Sequence, residues 1–145
     1  MKIIIDAMGG DNAPDAIVKG AVDAQREFGV DIVLVGREAE VKRCLADCGA
    51  EAGERLAVVN ADEVIDMHDD PSMAVRQKKQ SSMAVALDLL HAGEGDAVIS
   101  AGSTGALLTG ATLKVKRIRG IRRAAMAPVL PNGGKGTVLI DCGAN

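Results

Sequence analysis

Three stretches of the chain set small residues beside groups that handle anions. They are Asp6-Ala7-Met8-Gly9-Gly10-Asp11, Ser100-Ala101-Gly102-Ser103-Thr104-Gly105-Ala106 and Asp141-Cys142-Gly143-Ala144-Asn145. Glycine has no Cβ, so the backbone turns sharply at these points and leaves N–H groups bare. Where such a turn opens a helix, the bare N–H groups and the helix dipole favour negative charge. Ser103 and Thr104 add hydroxyl donors. Gly9, Gly10, Asp11, Gly102, Ser103, Thr104 and Gly105 are therefore candidates for binding phosphate or a developing oxyanion. Glycine turns also close tight strand-to-helix joins without any ligand, and it is the recurrence of three that favours a site. Asp6 and Asp11 are themselves anions, so they either orient a lysine or accept hydrogen bonds from the turn.

Gln77-Lys78-Lys79-Gln80-Ser81-Ser82 supplies the opposite charge. An ammonium is a compact point charge suited to phosphate, and Ser81 or Ser82 can cap a following helix. Lys114, Lys116, Arg117, Arg119, Arg122 and Arg123 put six cations into ten residues. Such a segment either docks an acidic partner by electrostatic steering or complements a helix C-terminus from an exposed surface.

Other chemistries are disfavoured. Gly134-Lys135-Gly136 lacks the hydroxyl residue of a Walker loop, and Gly102-Ser103-Thr104-Gly105 does not follow the dinucleotide G-x-G-x-x-G pattern. The three cysteines form no CxxC pair, and His68 and His91 stand in no zinc spacing with them, so no metal site is expected. Reduced thiols are the expectation. The net charge is −3 and Phe28 is the lone aromatic, which argues against stacking platforms for nucleic acid. No apolar run reaches the roughly 20 residues of a membrane span, so the expected setting is the cytoplasm.

The elements that position these groups alternate regularly. Lys2–Ile5 and Asp31–Val35 read as buried strands, and Leu56–Val59 and Asp96–Ile99 as a third and a fourth strand. Asp15–Phe28 carries Ile17, Ala21, Ala24 and Phe28 at helical spacing, with Asn12 a candidate cap and Pro14 in the first turn. A second helix runs from about Arg37 to Cys48, with Val41, Cys44, Leu45 and Cys48 inward and Gly49 as its stop. Residues 61–70 read as a long acidic loop, and Pro71 begins a helical piece. A helix with Met83, Leu87 and Leu90 inward follows Ser81-Ser82, and another runs from the second glycine turn to about Lys116. Ala125–Leu130, interrupted by Pro128, and Thr137–Ile140 complete the strands. This alternation predicts a mostly parallel sheet in a three-layer α/β/α domain covering 1–145. In such a sheet the carboxyl ends of the strands share one edge, so the three turns can converge. A buried strand followed by a glycine turn is a poor place for a domain to stop, so the chain is expected to be the N-terminal part of a longer polypeptide.

As a set, Asp6-Ala7-Met8-Gly9-Gly10-Asp11, Lys78-Lys79-x-Ser81-Ser82-Met83, Ser100–Ala106 and Asp141-x-Gly143-Ala144-Asn145 resemble the phosphate acyltransferase family of bacterial phospholipid synthesis. The motifs run in the family's order across essentially the whole chain. Ser103 stands where the family usually has asparagine, and Cys142 where it has valine. The resemblance implies an architecture like that of isocitrate dehydrogenase and phosphotransacetylase. It implies that inorganic phosphate attacks the thioester of a fatty acyl chain on acyl carrier protein, releasing acyl phosphate. No covalent enzyme intermediate and no cofactor are then required, and no serine or cysteine here has an obvious base. On this reading Lys78 or Lys79 neutralises phosphate, while Asp6, Asp11 and Asn145 orient the site. Asp6, Lys78, Lys79 and Asn145 are the candidate catalytic residues, and Ser81 joins the glycine turns in substrate binding. The Lys114–Arg123 segment becomes a docking surface for the acidic carrier protein. The family also implies a homodimer and peripheral association with the membrane. Two other readings are a phosphotransacetylase-like enzyme on a similar sheet, and an anion-binding or assembly module without chemistry of its own.

Overall fold

A computed structural model describes residues 1–140 of the chain. Its centre is a parallel sheet of β1 (Lys2–Asp6), β2 (Asp31–Gly36), β3 (Leu56–Asn60) and β4 (Ala97–Ile99), in the order β3-β2-β1-β4. Ile3, Ile4 and Ile5 are β-branched, suit a pleated strand, and pair in register with Ile32, Val33 and Leu34 on one side and Ala97, Val98 and Ile99 on the other. Strand alternation sends their side chains to both faces, and both faces are covered, as parallel sheets require.

One face is packed by α1 (Asp15–Phe28) and α2 (Glu38–Asp47). There Ile5, Ile32 and Leu34 meet Val18, Ala21 and Val22 of α1 and Val41, Cys44 and Leu45 of α2. On the other face Ile4, Val33 and Val35 meet Ala86 of α4 (Ser82–His91). A further layer grows outward from α4, where Met83, Ala84 and Leu87 pack on Ala74 and Val75 of α3 (Ala74–Gln77) and Ala106 of α5 (Thr104–Gly110). The architecture is three-layer α/β/α.

Several elements differ from the sequence-based expectation, each for a local reason. Phe28 is 68% exposed: it lies on the same side of α1 as buried Ala21, but as the last residue of the helix it stands beyond the buried positions Val18, Ala21 and Val22. Asn12 does not cap α1: Pro14 holds the N-cap position, and Asn12 contributes its carbonyl to the Ala16 N–H. The N-terminus of α2 is served instead from β3, where Asn60 Oδ1 accepts from the Glu38 N–H at 3.0 Å. The last helix changes to a π-helical turn over Ala111–Val115, and Lys116 leaves it at φ 72°. The largest difference lies after it. β5 (Val129–Leu130) and β6 (Thr137–Val138) form an antiparallel hairpin of their own, separate from the main sheet. Val138, Leu139 and Ile140 are exposed rather than buried. Pro128 lacks the N–H a ladder needs, so it enters the hairpin only as an acceptor, its carbonyl taking the Leu139 N–H at 3.0 Å.

Candidate functional site

Strand β1 ends at Asp6 and β4 at Ile99, and the two loops beyond them touch. Asp6 is 1% exposed, a buried carboxylate at a strand end. Its Oδ1 accepts from the Met8 N–H at 3.3 Å, and its Oδ2 accepts from the Ser100 hydroxyl at 2.7 Å. Ser100 Oγ in turn accepts from the Gly102 N–H at 3.1 Å. A Cβ on Gly9 would lie 2.6 Å from Asp6 Oδ2, 2.9 Å from Gly102 N and 3.0 Å from Ser100 Oγ. A Cβ on Gly102 would lie 3.3 Å from the Gly9 Cα. At Gly9 the second loop approaches too closely for a side chain, and at Gly102 a Cβ would be tight against the first. Gly10 turns the loop away at φ +109°, against Ala101.

This geometry sorts the predicted anion-binding groups. Gly9 is buried between the loops, and the Gly102 N–H is taken by Ser100. At the rim, Gly10 is half-buried and Asp11 exposed. Their N–H groups have no acceptor among the described residues. Ser103 is the N-cap of α5, its Oγ accepting from the Ala106 N–H at 3.4 Å. The first-turn N–H groups of Thr104 and Gly105 have no intrahelical acceptor. Beneath the second loop, the methyl of Met83 packs 3.4 Å from where a Gly102 Cβ would stand, so the start of α4 supports the same place. Two neighbouring loops thus each keep backbone donors without a partner, the kind of group that can hold a phosphate or an oxyanion.

The profile of the family described as "Fatty acid synthesis protein" matches residues 1–145. The chain belongs to that family. A protein named phosphate acyltransferase from Bacillus cereus is 48% identical over 147 residues, covering all of this chain and 43% of the relative. One of the same name from Thermoanaerobacter pseudethanolicus is 50% identical over 146 residues, again with all of this chain and 42% of the relative. Another from Clostridioides difficile is 46% identical over 146 residues and 43% of its length. The chain thus spans less than half the length of these relatives.

Within this member of the family, the cations are placed less simply than the glycine loops. Lys78 Nζ is half-buried, ion-paired with Asp69 Oδ2 at 2.5 Å and donating to the Val64 carbonyl at 3.0 Å. The hydrogen bond from Lys78, with one from the Asp66 backbone, holds the Asp69 carboxyl below its ordinary pKa. Lys78 therefore straps the acidic loop 61–70 to the start of α4. Lys79 is exposed and lines a groove with Arg76, Gln80, Asp88 and Lys114. Neither lysine hydrogen-bonds to a glycine loop among the described residues. Ser81 is fully buried as the N-cap of α4, donating to the Lys78 carbonyl at 2.7 Å and accepting from the Ala84 N–H at 3.3 Å. Lys114 is withdrawn into a pair with Asp88 at 2.7 Å. Lys116, Arg117, Arg119, Arg122 and Arg123 are exposed, and the Arg117 guanidinium donates to the Arg122 carbonyl. Asn145 and the whole third turn, 141–145, lie outside the described residues.

Three contributors are not evident from the sequence. Ser100 is there one serine in a small-residue run. Gly36 reads only as a join, yet a Cβ there would lie 2.9 Å from Met8 Sδ. Met8 is thereby seated at the end of β2, and the first loop with it. Asn60 caps a helix that begins 22 positions earlier. The alternation of strands and glycines in a parallel sheet is the available signal for Ser100, since it follows β4 directly at the edge where Asp6 ends β1.

Proposed function

We propose that the polypeptide carrying this chain transfers a fatty acyl group from acyl carrier protein to inorganic phosphate. A phosphate oxygen attacks the thioester carbonyl carbon, the tetrahedral oxyanion collapses, and the C–S bond breaks. The products are acyl phosphate and the free carrier thiol. Phosphate is the nucleophile, so the protein's task is to position it and to stabilise charge on the carbonyl oxygen. The observation that supports the reading is the contact between the β1 and β4 glycine loops, in a family whose relatives are named phosphate acyltransferase.

On this reading Gly10 and the Ser103-Thr104-Gly105 turn supply N–H donors, and Gly9 and Gly102 let the two loops meet. Lys79, the exposed lysine of the pair, brings positive charge; Lys78 is held by Asp69. Asp6, Asp11 and Asn145 orient the site. The exposed cations from Lys116 to Arg123 face the acidic carrier protein. The active form is a homodimer in the cytoplasm that associates peripherally with the membrane; among the described residues no helix is long and apolar enough to cross one.

The test is phosphate-dependent release of free carrier from acyl carrier protein, run on the polypeptide at its natural length and on residues 1–145. Lys79→Ala and Gly105→Val should each raise the phosphate concentration needed for half-maximal rate. Arg122→Glu with Arg123→Glu should weaken carrier affinity while leaving the phosphate requirement unchanged. Release without phosphate, or none at all, would refute the reading and favour an anion-binding module.

A further inference from the structure

We propose that Ser100 is a positioning residue for the anion site, acting through Gly102 and Asp6 to hold the two glycine loops at a fixed separation. The proposal rests on the reading of these loops as the phosphate site. Asp6 and Ser100 are 94 residues apart in sequence, and theirs is the one hydrogen bond among the described residues that joins the two loops. The serine hydroxyl does two things at once. It donates to a carboxylate that is 1% exposed and accepts from the Gly102 N–H, so the inner turn of the β4 loop is fixed relative to the end of β1. The other carboxylate oxygen fixes the β1 loop itself through the Met8 N–H.

The consequence is geometric. Asp6 Oδ2, Ser100 Oγ and Gly102 N all crowd the side of Gly9 where a Cβ would stand. Release of the bridge therefore removes the hydrogen bond that ties the loops together and leaves only their packing to hold the donors of one beside those of the other. A site built from two loops binds an anion well only when both sets of donors reach it together. Ser100 touches no reacting atom in this scheme; its effect reaches the anion through the loops.

A hydrogen bond to a charged acceptor is worth about a tenfold to hundredfold factor in an equilibrium. Removal of the hydroxyl in Ser100→Ala, in the natural-length polypeptide, should thus raise amide exchange about tenfold in both segments 7–13 and 100–106. It should also raise the KM for inorganic phosphate about tenfold, with kcat and the KM for acyl carrier protein changed less than threefold. Ser100→Thr keeps the hydroxyl and should leave exchange and kinetics within threefold of wild type. Faster exchange at 100–106 alone, or at neither segment, overturns the bridge. Faster exchange in both with an unchanged phosphate KM overturns its part in positioning. Identical behaviour of the alanine and threonine variants also overturns it. If the wild-type polypeptide releases no carrier in response to phosphate, the functional reading fails, and the exchange data still decide the bridge.

Discussion

Replacing Gly9 by alanine inserts a methyl group into the contact between the β1 and β4 loops. The new carbon would stand 2.6 Å from Asp6 Oδ2 and 2.9 Å from Gly102 N, where ordinary contact begins at 3.4 Å. Neither neighbour is the free end of a flexible side chain. Asp6 Oδ2 is held by Ser100, and Gly102 N belongs to the backbone. The loops must part, and overpacking of this kind costs about 1–3 kcal/mol. Gly20→Ala provides the matched comparison, because Gly20 lies within α1 on an exposed face, with nothing within 4 Å of the place its added methyl would take. That change should stabilise by about 0.5–1 kcal/mol, the usual gain of alanine over glycine inside a helix. Equilibrium urea unfolding of both variants beside wild type reads the two effects. The same chemical change should move stability in opposite directions at two positions. Gly9→Ala within about 0.5 kcal/mol of wild type, with Gly20→Ala stabilising as expected, would show that the loops do not meet as described.

Three further outcomes follow from single residues. Ser81→Ala removes both the cap of α4 and the bond to the Lys78 carbonyl, and should cost about 1–2 kcal/mol in the same unfolding assay. The Asp69 carboxyl is held below its ordinary pKa by the hydrogen bond from Lys78. Its stabilisation is therefore complete above the unfolded pKa and is lost as pH falls through the folded one. Amide protection in loop 61–70 should accordingly drop below about pH 4, and Lys78→Met should shrink that acid-dependent step, leaving the part held by the Asp66 backbone bond and by Asp70. Cys44 is buried, and desolvation, followed by its contact with Asp15, raises its thiol pKa. Iodoacetamide at neutral pH should modify the half-buried Cys48 well before Cys44, as peptide mass mapping would show; equal rates would contradict the packing of α2.

Sequence alone determined the elements and their order. Three consecutive isoleucines, strand-helix alternation with short joins, and glycines at the strand ends left little choice but a parallel sheet covered on both faces. The cap at Ser81 was legible because its partner lies only three residues away, whereas Ser103, read as a hydroxyl donor, accepts from the Ala106 N–H as a cap. Local periodicity also exposed the buried sides of α2 and α4. It misjudged Phe28, since spacing defines a stripe but only the packed sheet decides which residues of it are covered. It also extended the main sheet into residues 137–140, whose apolar character says that they pair, not with what. Tertiary structure alone decided which donors remain free. Gly102 looked available and is bound by Ser100, Lys78 looked available and is bound by Asp69, and Asp6 faces a serine 94 positions away. Hydrogen-bond partners at such separations are set by strand order and register, which no local pattern encodes. The sequence named the glycine loops as candidates, and the placing of β1 beside β4 brought two of them into contact.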